Sequence, residues 1–150
     1  VCLTLSIGVG AGIIINNELY SGNNTAAGEI GSLYYLDADY EYYCGQKFFI
    51  RNNTTAEEAY RLALQGDEDM IALWKESGKH IGNLINAILF TYDPQAIVLG
   101  GDLICGYEFF AESMFESVSK FPFKDATQFI KILLTKREDI TLIGAASLVV

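Results

Sequence analysis

The chain has 150 residues, 51% of them apolar and 19% charged, with 10 Lys and Arg against 19 Asp and Glu for a formal charge of −9. That is one globular domain's worth of chain, too apolar and, with two prolines, too poor in Pro for intrinsic disorder. The acidic balance argues against nucleic acid as a partner of this domain, since such affinity comes largely from Lys and Arg at phosphates; no run of about 18 apolar residues offers a membrane span, so no membrane partner is expected either.

A cytoplasmic protein is the expectation. Cys2, Cys44 and Cys105 are odd in number and far apart, which suits reduced thiols better than a disulfide framework. The chain opens at Val1, inside what reads as a strand and without an initiator Met, so a piece of a longer polypeptide is expected.

Residues 1 to about 20 read as strands: Val1-Cys2-Leu3-Thr4-Leu5, the Gly-punctuated stretch Ile7 to Gly12, Ile13-Ile14-Ile15 and, after Asn16-Asn17, Glu18-Leu19-Tyr20. Apolar β-branched runs broken by Gly and an Asn-Asn turn predict an antiparallel meander. From 21 to 53 periodicity is lost, and Tyr34, Tyr35, Tyr40, Tyr42 and Tyr43 interleave with Asp37, Asp39 and Glu41, predicting a loop packed by aromatic rings. The three acids alternate like a metal loop but lack the Gly and terminal Glu of a calcium site, so a solvated acidic loop is expected.

Helical signals follow. Thr55 and Glu58 have the spacing of a capping box, Gly66 ends that helix, and Asp67 can cap a longer one on which Met70, Leu73, Trp74, Ile81, Leu84, Ile85 and Ile88 form an apolar face. His80 sits near the edge of that stripe and reads as a structural, partly buried side chain. After Pro94, Ala96-Ile97-Val98-Leu99 has the look of a buried parallel strand running into Gly100-Gly101. A helix carrying Phe109, Phe110, Met114, Phe115 and Val118, a strand at Ile130 to Leu134 and a last helix opening at Gly144-Ala145-Ala146 complete an α/β domain with a mixed sheet.

The chemistry lies in the glycines. Ser6-Ile7-Gly8-Val9-Gly10-Ala11-Gly12 puts Gly at alternate positions between strands, where backbone can approach a ligand and aim N–H groups at an anion. Leu99-Gly100-Gly101-Asp102 is a second turn, at the carboxyl end of a buried strand, where open α/β sheets bind ligands. Taken singly, each equally suits a turn that binds nothing.

Together with Gly22-Asn23-Asn24-Thr25-Ala26-Ala27-Gly28-Glu29-Ile30-Gly31, these segments resemble the ROK family of bacterial sugar kinases and sugar-responsive repressors, proteins of the actin-like ATPase fold. Asp93-Pro94-Gln95-Ala96-Ile97-Val98-Leu99-Gly100-Gly101 is similar to the family's adenosine-side strand and turn, and Ile143-Gly144-Ala145-Ala146 to its closing helix. The resemblance covers the whole chain as a carboxyl-terminal domain. It implies half of an ATP- and Mg²⁺-dependent sugar kinase acting on a hexose or amino sugar, with Gly8, Gly10 and Gly12 by the phosphates, Gly100 and Gly101 by the adenosine, and Glu29 and Asn24 at the sugar. A carboxylate suits sugar hydroxyls because it only accepts hydrogen bonds and can take two donors. No catalytic residue is expected in this chain, because the family's catalytic Asp belongs to the amino-terminal domain. The alternative is the non-catalytic sugar-sensing domain of a repressor. A homodimer is expected in either case.

Several departures from the family pattern carry information. The family's zinc-binding His falls at Ser32, and its Cys-x-Cys-Gly-x-x-Gly-Cys loop reads Tyr42-Tyr43-Cys44-Gly45-Gln46-Lys47-Phe48-Phe49, so no structural zinc is expected. Aromatic packing should order the loop instead. A glutamate common in the family falls at Arg51, and its Gly-Thr-Gly phosphate turn is Ser6-Ile7-Gly8. No Lys or Arg occurs before Lys47, so the phosphate side would rely on backbone N–H groups, Mg²⁺ and the partner domain.

Overall fold

Alternation of side chains sends Leu3 and Leu5 to one face and Cys2 and Thr4 to the other, and in the computed structural model, which describes residues 1–135, this segment is β1 (Cys2–Leu5). β2 (Val9–Gly12) returns antiparallel, pairing Leu5 with Val9 and Cys2 with Gly12. The meander then divides. β3 (Ile14–Ile15) and β4 (Glu18–Leu19) form a separate hairpin, turned by Asn16 and Asn17 at φ 53° and 65°, a backbone that Asn adopts with little strain.

Residues 21 to 53 are more ordered than a loop. A 3-10 turn over Ile30–Ser32 leads to the small hairpin β5 (Tyr34–Tyr35) and β6 (Ala38–Asp39), then α1 (Tyr40–Cys44) and α2 (Gln46–Arg51). Both helices are shorter than two turns, too short for apolar periodicity to register. Their start signal is Asp39, whose carboxylate accepts from the Tyr42 N–H at 2.7 Å, and Gly45 in extended backbone separates them. The acids of this stretch are therefore more than a solvated loop: Asp39 is a helix cap, and Asp37, exposed in the turn between β5 and β6, accepts from the Tyr43 hydroxyl.

α3 (Ala56–Leu64) begins at Thr55, whose hydroxyl accepts from the Glu58 N–H at 3.1 Å. Glu58 does not complete the box, because its carboxylate is held by Arg61 at 2.6 Å. α4 (Glu68–Tyr92) starts on the Asp67 cap and stops at Asp93, which turns left-handed (φ 41°) ahead of Pro94. β7 (Ala96–Gly100), α5 (Tyr107–Val118), α6 (Lys124–Phe129) and β8 (Lys131–Leu134) follow, α6 falling where no helix was expected. The main sheet runs β2-β1-β7-β8, with β7 parallel to both β1 and β8. The expected closing helix at Ile143-Gly144-Ala145-Ala146 lies outside the described residues. Among those described, no helix is long and apolar enough to cross a membrane.

Leu3, Leu5, Val9, Ile97 and Leu99 from one sheet face join Trp74, Ile81, Leu84, Ile85, Phe110 and Met114 in one buried core. Phe115, expected on the apolar face of α5, is instead 44% exposed. What lets α4 and α5 approach is a seam of small residues missed in the apolar pattern. A Cβ on Gly78 would lie 2.3 Å from the Phe110 carbonyl oxygen, and one on Gly82 would lie 2.5 Å from that of Met114. Opposite them, Ser113 donates to the Lys75 carbonyl at 2.6 Å, and Asn86 donates to that of Ser117 at 3.0 Å.

The rings of residues 34 to 49 make a second packed layer against α4. Tyr35 stacks on Tyr40 at 4.3 Å between centroids, and His80 lies 4.8 Å from Tyr43 and 5.5 Å from Phe48. Arg51 caps the layer, its guanidinium 4.4 Å from the Tyr43 ring centre and 4.8 Å from that of Phe48. His80, expected as a structural side chain, is buried among these rings: the Tyr35 hydroxyl, which accepts from Asn83, lies 3.1 Å from its Nδ1, and Glu76 Oε1 lies 3.5 Å from its Nε2.

Two outcomes follow for stability. Ala normally gains about 1 kcal/mol over Gly inside a helix, but overpacking against rigid backbone costs about 1–3 kcal/mol, so Gly78→Ala and Gly82→Ala should each lower the melting temperature. A rise in either would show that the seam is loose. Burial holds the His80 pKa below its ordinary 6.5, with Arg51 and Lys79 reinforcing the shift and Glu76 opposing it. The unfolded chain takes up a proton that the folded ring refuses, so this stability is present above the unfolded pKa and declines as pH falls below it toward the folded one. Melting curves from about pH 7.5 to about pH 5.5, spanning the imidazole range, should drop more steeply for the wild type than for His80→Gln; parallel profiles would exclude the ring as the source.

Candidate functional site

Parallel pairing of β1 with β7 sets Thr4 beside Gly100, so the turns that leave these two strands lie side by side. One is Ser6-Ile7-Gly8, with the Ser6 N–H donating to the Gly8 carbonyl at 3.0 Å and Ile7 at its tip 75% exposed. The other is Gly101-Asp102, where Gly101 takes φ 93° and a Cβ would fall 2.2 Å from the Leu5 carbonyl oxygen. The Ser6 hydroxyl donates to the Asp102 carboxylate, joining the two turns. Gly8, Gly100 and Gly101 thus gather at one end of the sheet with Gly10 next to them across Thr4, whereas Gly12 lies toward the other end, across from Cys2, and Gly101 is already required by packing on β1.

Gly10 and Gly12 differ from Gly101. A Cβ at Gly10 would come no nearer than 4.0 Å to the Gly28 carbonyl oxygen, and one at Gly12 no nearer than 3.9 Å to the Cys2 Cβ. Both positions have room for a side chain, so the strand surface above them is bare, while their paired positions in the ladder are Thr4 and Cys2 of β1.

Gly8 faces a group that escaped the sequence pattern because α1 was not recognised. A Cβ there would be 3.1 Å from Glu41 Oε2, and the same oxygen accepts from the Val9 N–H at 3.4 Å. Lys47 holds the other carboxylate oxygen at 2.7 Å and keeps the Glu41 carboxyl below the usual carboxylate range. α2 also grips the turn, the Gln46 N–H donating to the Ser6 carbonyl at 3.0 Å.

The Gly28 to Gly31 segment docks on β2 backbone to backbone. Gly28 (φ 95°) receives the Ala11 N–H at 2.8 Å, and a Cβ on Gly28 or Gly31 would fall 1.8 Å from the Ala11 carbonyl oxygen or 2.1 Å from that of Val9. Ile30 is buried in the core, and this anchor turns Glu29 outward. Glu29 lines a cavity of about 250 Å³ with Ala26, Ala27, Leu33, Ile88 and Tyr92. Asn24 is exposed on the preceding turn and is not part of that wall, so the two residues expected at the sugar are not brought into one pocket.

The positions at which the resemblance places zinc ligands do not offer a ligand set. Ser32 and Tyr42 carry hydroxyls, Phe49 is a buried ring, and the Cys44 thiol is fully buried with its pKa pushed up by desolvation, opposite to the thiolate zinc requires. Among the described residues no group of three or more His, Cys, Asp or Glu is arranged to hold a metal ion.

The ROK family model matches residues 1–48 and 49–150. The xylose repressor of Bacillus subtilis is 28% identical over 134 residues, 78% of this chain and 35% of the repressor. N-acetylmannosamine kinase of Escherichia coli is 27% identical over 119 residues, 69% of this chain and 41% of that kinase. The chain therefore spans well under half of either relative. A ROK family glucokinase from Streptomyces griseus, solved with glucose and AMPPNP, superposes with a TM-score of 0.86 at 20% identity over 98% of this chain and 59% of that one. The fold is accordingly that of the ROK sugar kinases, the actin-like ATPase fold, and the chain belongs to the ROK family.

Proposed function

We propose that this chain is the carboxyl-terminal half of an ATP-dependent sugar kinase, holding a hexose or amino sugar at Glu29 and nucleotide along the bare backbone at Gly10, Gly12 and the paired turns. The observation that carries the sugar assignment is the docking of Gly28 and Gly31 on β2, which sets the exposed Glu29 among the residues that line a cavity. Asn24 is assigned a peripheral contact at most. Similarity to a glucokinase solved with glucose and AMPPNP and to an N-acetylmannosamine kinase supports the substrate class.

In this reading the chain's residues position and do not react. Glu29 accepts hydrogen bonds from two hydroxyls and so fixes the face that the sugar presents; phosphoryl transfer gains most of its rate from such placement and from charge stabilisation. Asp102, an exposed carboxylate at the paired turns, would accept hydrogen bonds from the water shell of a Mg²⁺ ion bound with ATP, an ion that would supply positive charge against the phosphates. The base that removes the sugar proton is assigned to the amino-terminal domain.

A second reading, the sugar sensor of a repressor, is favoured by one feature. The phosphate-side turn has its hydroxyl on Asp102 and its Val9 N–H on Glu41, an arrangement that suits a turn released from catalysis. Both readings put sugar at Glu29.

Calorimetric titration of the full-length protein with glucose and N-acetylmannosamine should find one sugar that binds. Glu29→Ala should weaken it by about tenfold to a hundredfold, the size of lost hydrogen bonds to a charged acceptor; unchanged affinity would remove Glu29 from the sugar site. A coupled assay with the same sugar then separates the readings: ATP turnover identifies the kinase, and sugar binding with none identifies the sensor.

A further inference from the structure

We propose that Glu41 is a built-in anion of the Ser6-Ile7-Gly8 turn and that the Glu41–Lys47 pair is a latch which a phosphate ligand must open. The inference rests on the reading that nucleotide phosphates approach this turn.

The first line of support is placement. Glu41 Oε2 takes the Val9 N–H, the donor that follows the turn, and lies 3.1 Å from where Gly8 would carry a side chain. A carboxylate on a backbone N–H beside a glycine is the same contact that a phosphate oxygen makes in a Gly-rich cradle, so the two anions compete for one donor. The position is held from both sides. α1 carries Glu41, Gly45 packs with its would-be Cβ 3.3 Å from the carbonyl oxygens of Ser6 and Ile7, and Gln46 donates to Ser6.

The second line is charge. The chain has no Lys or Arg before Lys47. Lys47 Nζ is 2.7 Å from Glu41 Oε1, while Arg51, the next cation, lies over the rings of Tyr42, Tyr43 and Phe48. In the latched state an incoming phosphate meets two carboxylates, Glu41 and Asp102, with Lys47 already neutralised. Once Glu41 swings away, its N–H is vacated and Lys47, exposed and on a flexible stem, is released as a counter-ion for the phosphate. Nucleotide affinity therefore depends on phosphate displacing Glu41 from the Val9 N–H and taking Lys47 as its counter-ion, and a pair this exposed is held only weakly.

The test is calorimetric binding of MgATP, with adenosine as the phosphate-free control, to the full-length protein and its Glu41→Gln and Lys47→Met forms. Glu41→Gln keeps the side chain's shape, removes the competing charge and frees Lys47, so ATP should bind about tenfold tighter, a difference of about 1.4 kcal/mol, with adenosine unchanged. Lys47→Met leaves Glu41 in place and deletes the released cation, so ATP should bind more weakly than to the wild type. Equal ATP affinity in wild type and Glu41→Gln overturns the latch while leaving a nucleotide site intact; no ATP binding by either removes the nucleotide reading itself. A gain that adenosine shares equally also overturns the latch, since it would not act through phosphate. Should Glu41→Gln melt early, the Lys47→Met comparison decides, an unchanged ATP affinity counting against the proposal. Sugar affinity measured alongside reports on Glu29 independently.

Discussion

Direct contact of backbone with backbone, at positions where no side chain can intervene, is the constraint on which this domain is built. Gly28 and Gly31 sit against the carbonyls of Ala11 and Val9, Gly101 against that of Leu5, and Gly78 and Gly82 against those of Phe110 and Met114. Each approach removes a layer of side chains, so elements that would stand a side chain apart lie in main-chain contact. Three consequences depend on it: α4 and α5 form one slab, the turns after β1 and β7 share an edge, and a short segment on β2 projects one acid outward.

The two halves of the candidate site are consequently parts of one rigid unit. β2 carries both the bare glycines proposed to face nucleotide and the docking carbonyls for the Glu29 segment proposed to face sugar. A displacement of β2 would move both. The α1–α2 junction adds a third attachment, joining the turn at Ser6 and Gly8 to the aromatic layer through Gln46 and Glu41. Arg51 over three rings and His80 between Tyr35 and Glu76 fix the loop through π and polar contacts, of which those of His80 carry a pH dependence.

Much of this was legible in the sequence. The strands at each Gly turn, the caps at Thr55 and Asp67, the core stripe of α4 and the family itself all announced themselves through periodicity and glycine spacing. What escaped notice did so for physical reasons. α1 and α2 are too short for a helical period to show, so Asp39 read as one more loop acid and not a cap, and Glu41 as solvated and not seated at Gly8. The Gly78/Gly82 and Ser113/Ser117 pairs were visible at four-residue spacing but were outweighed by the large apolar residues beside them. Asn24 was drawn in by its neighbourhood in the chain, whereas the left-handed turn at Thr25 (φ 59°) comes between it and the cavity wall that begins at Ala26.

The central claim is that a backbone-locked Glu29 reads a sugar. A crystal structure of the full-length protein with its bound sugar tests it most directly. The account predicts sugar hydroxyl oxygens about 2.5–3.0 Å from the Glu29 carboxylate, with Gly28 and Gly31 still seated on β2. Sugar bound elsewhere, with Glu29 facing open solvent, would contradict it.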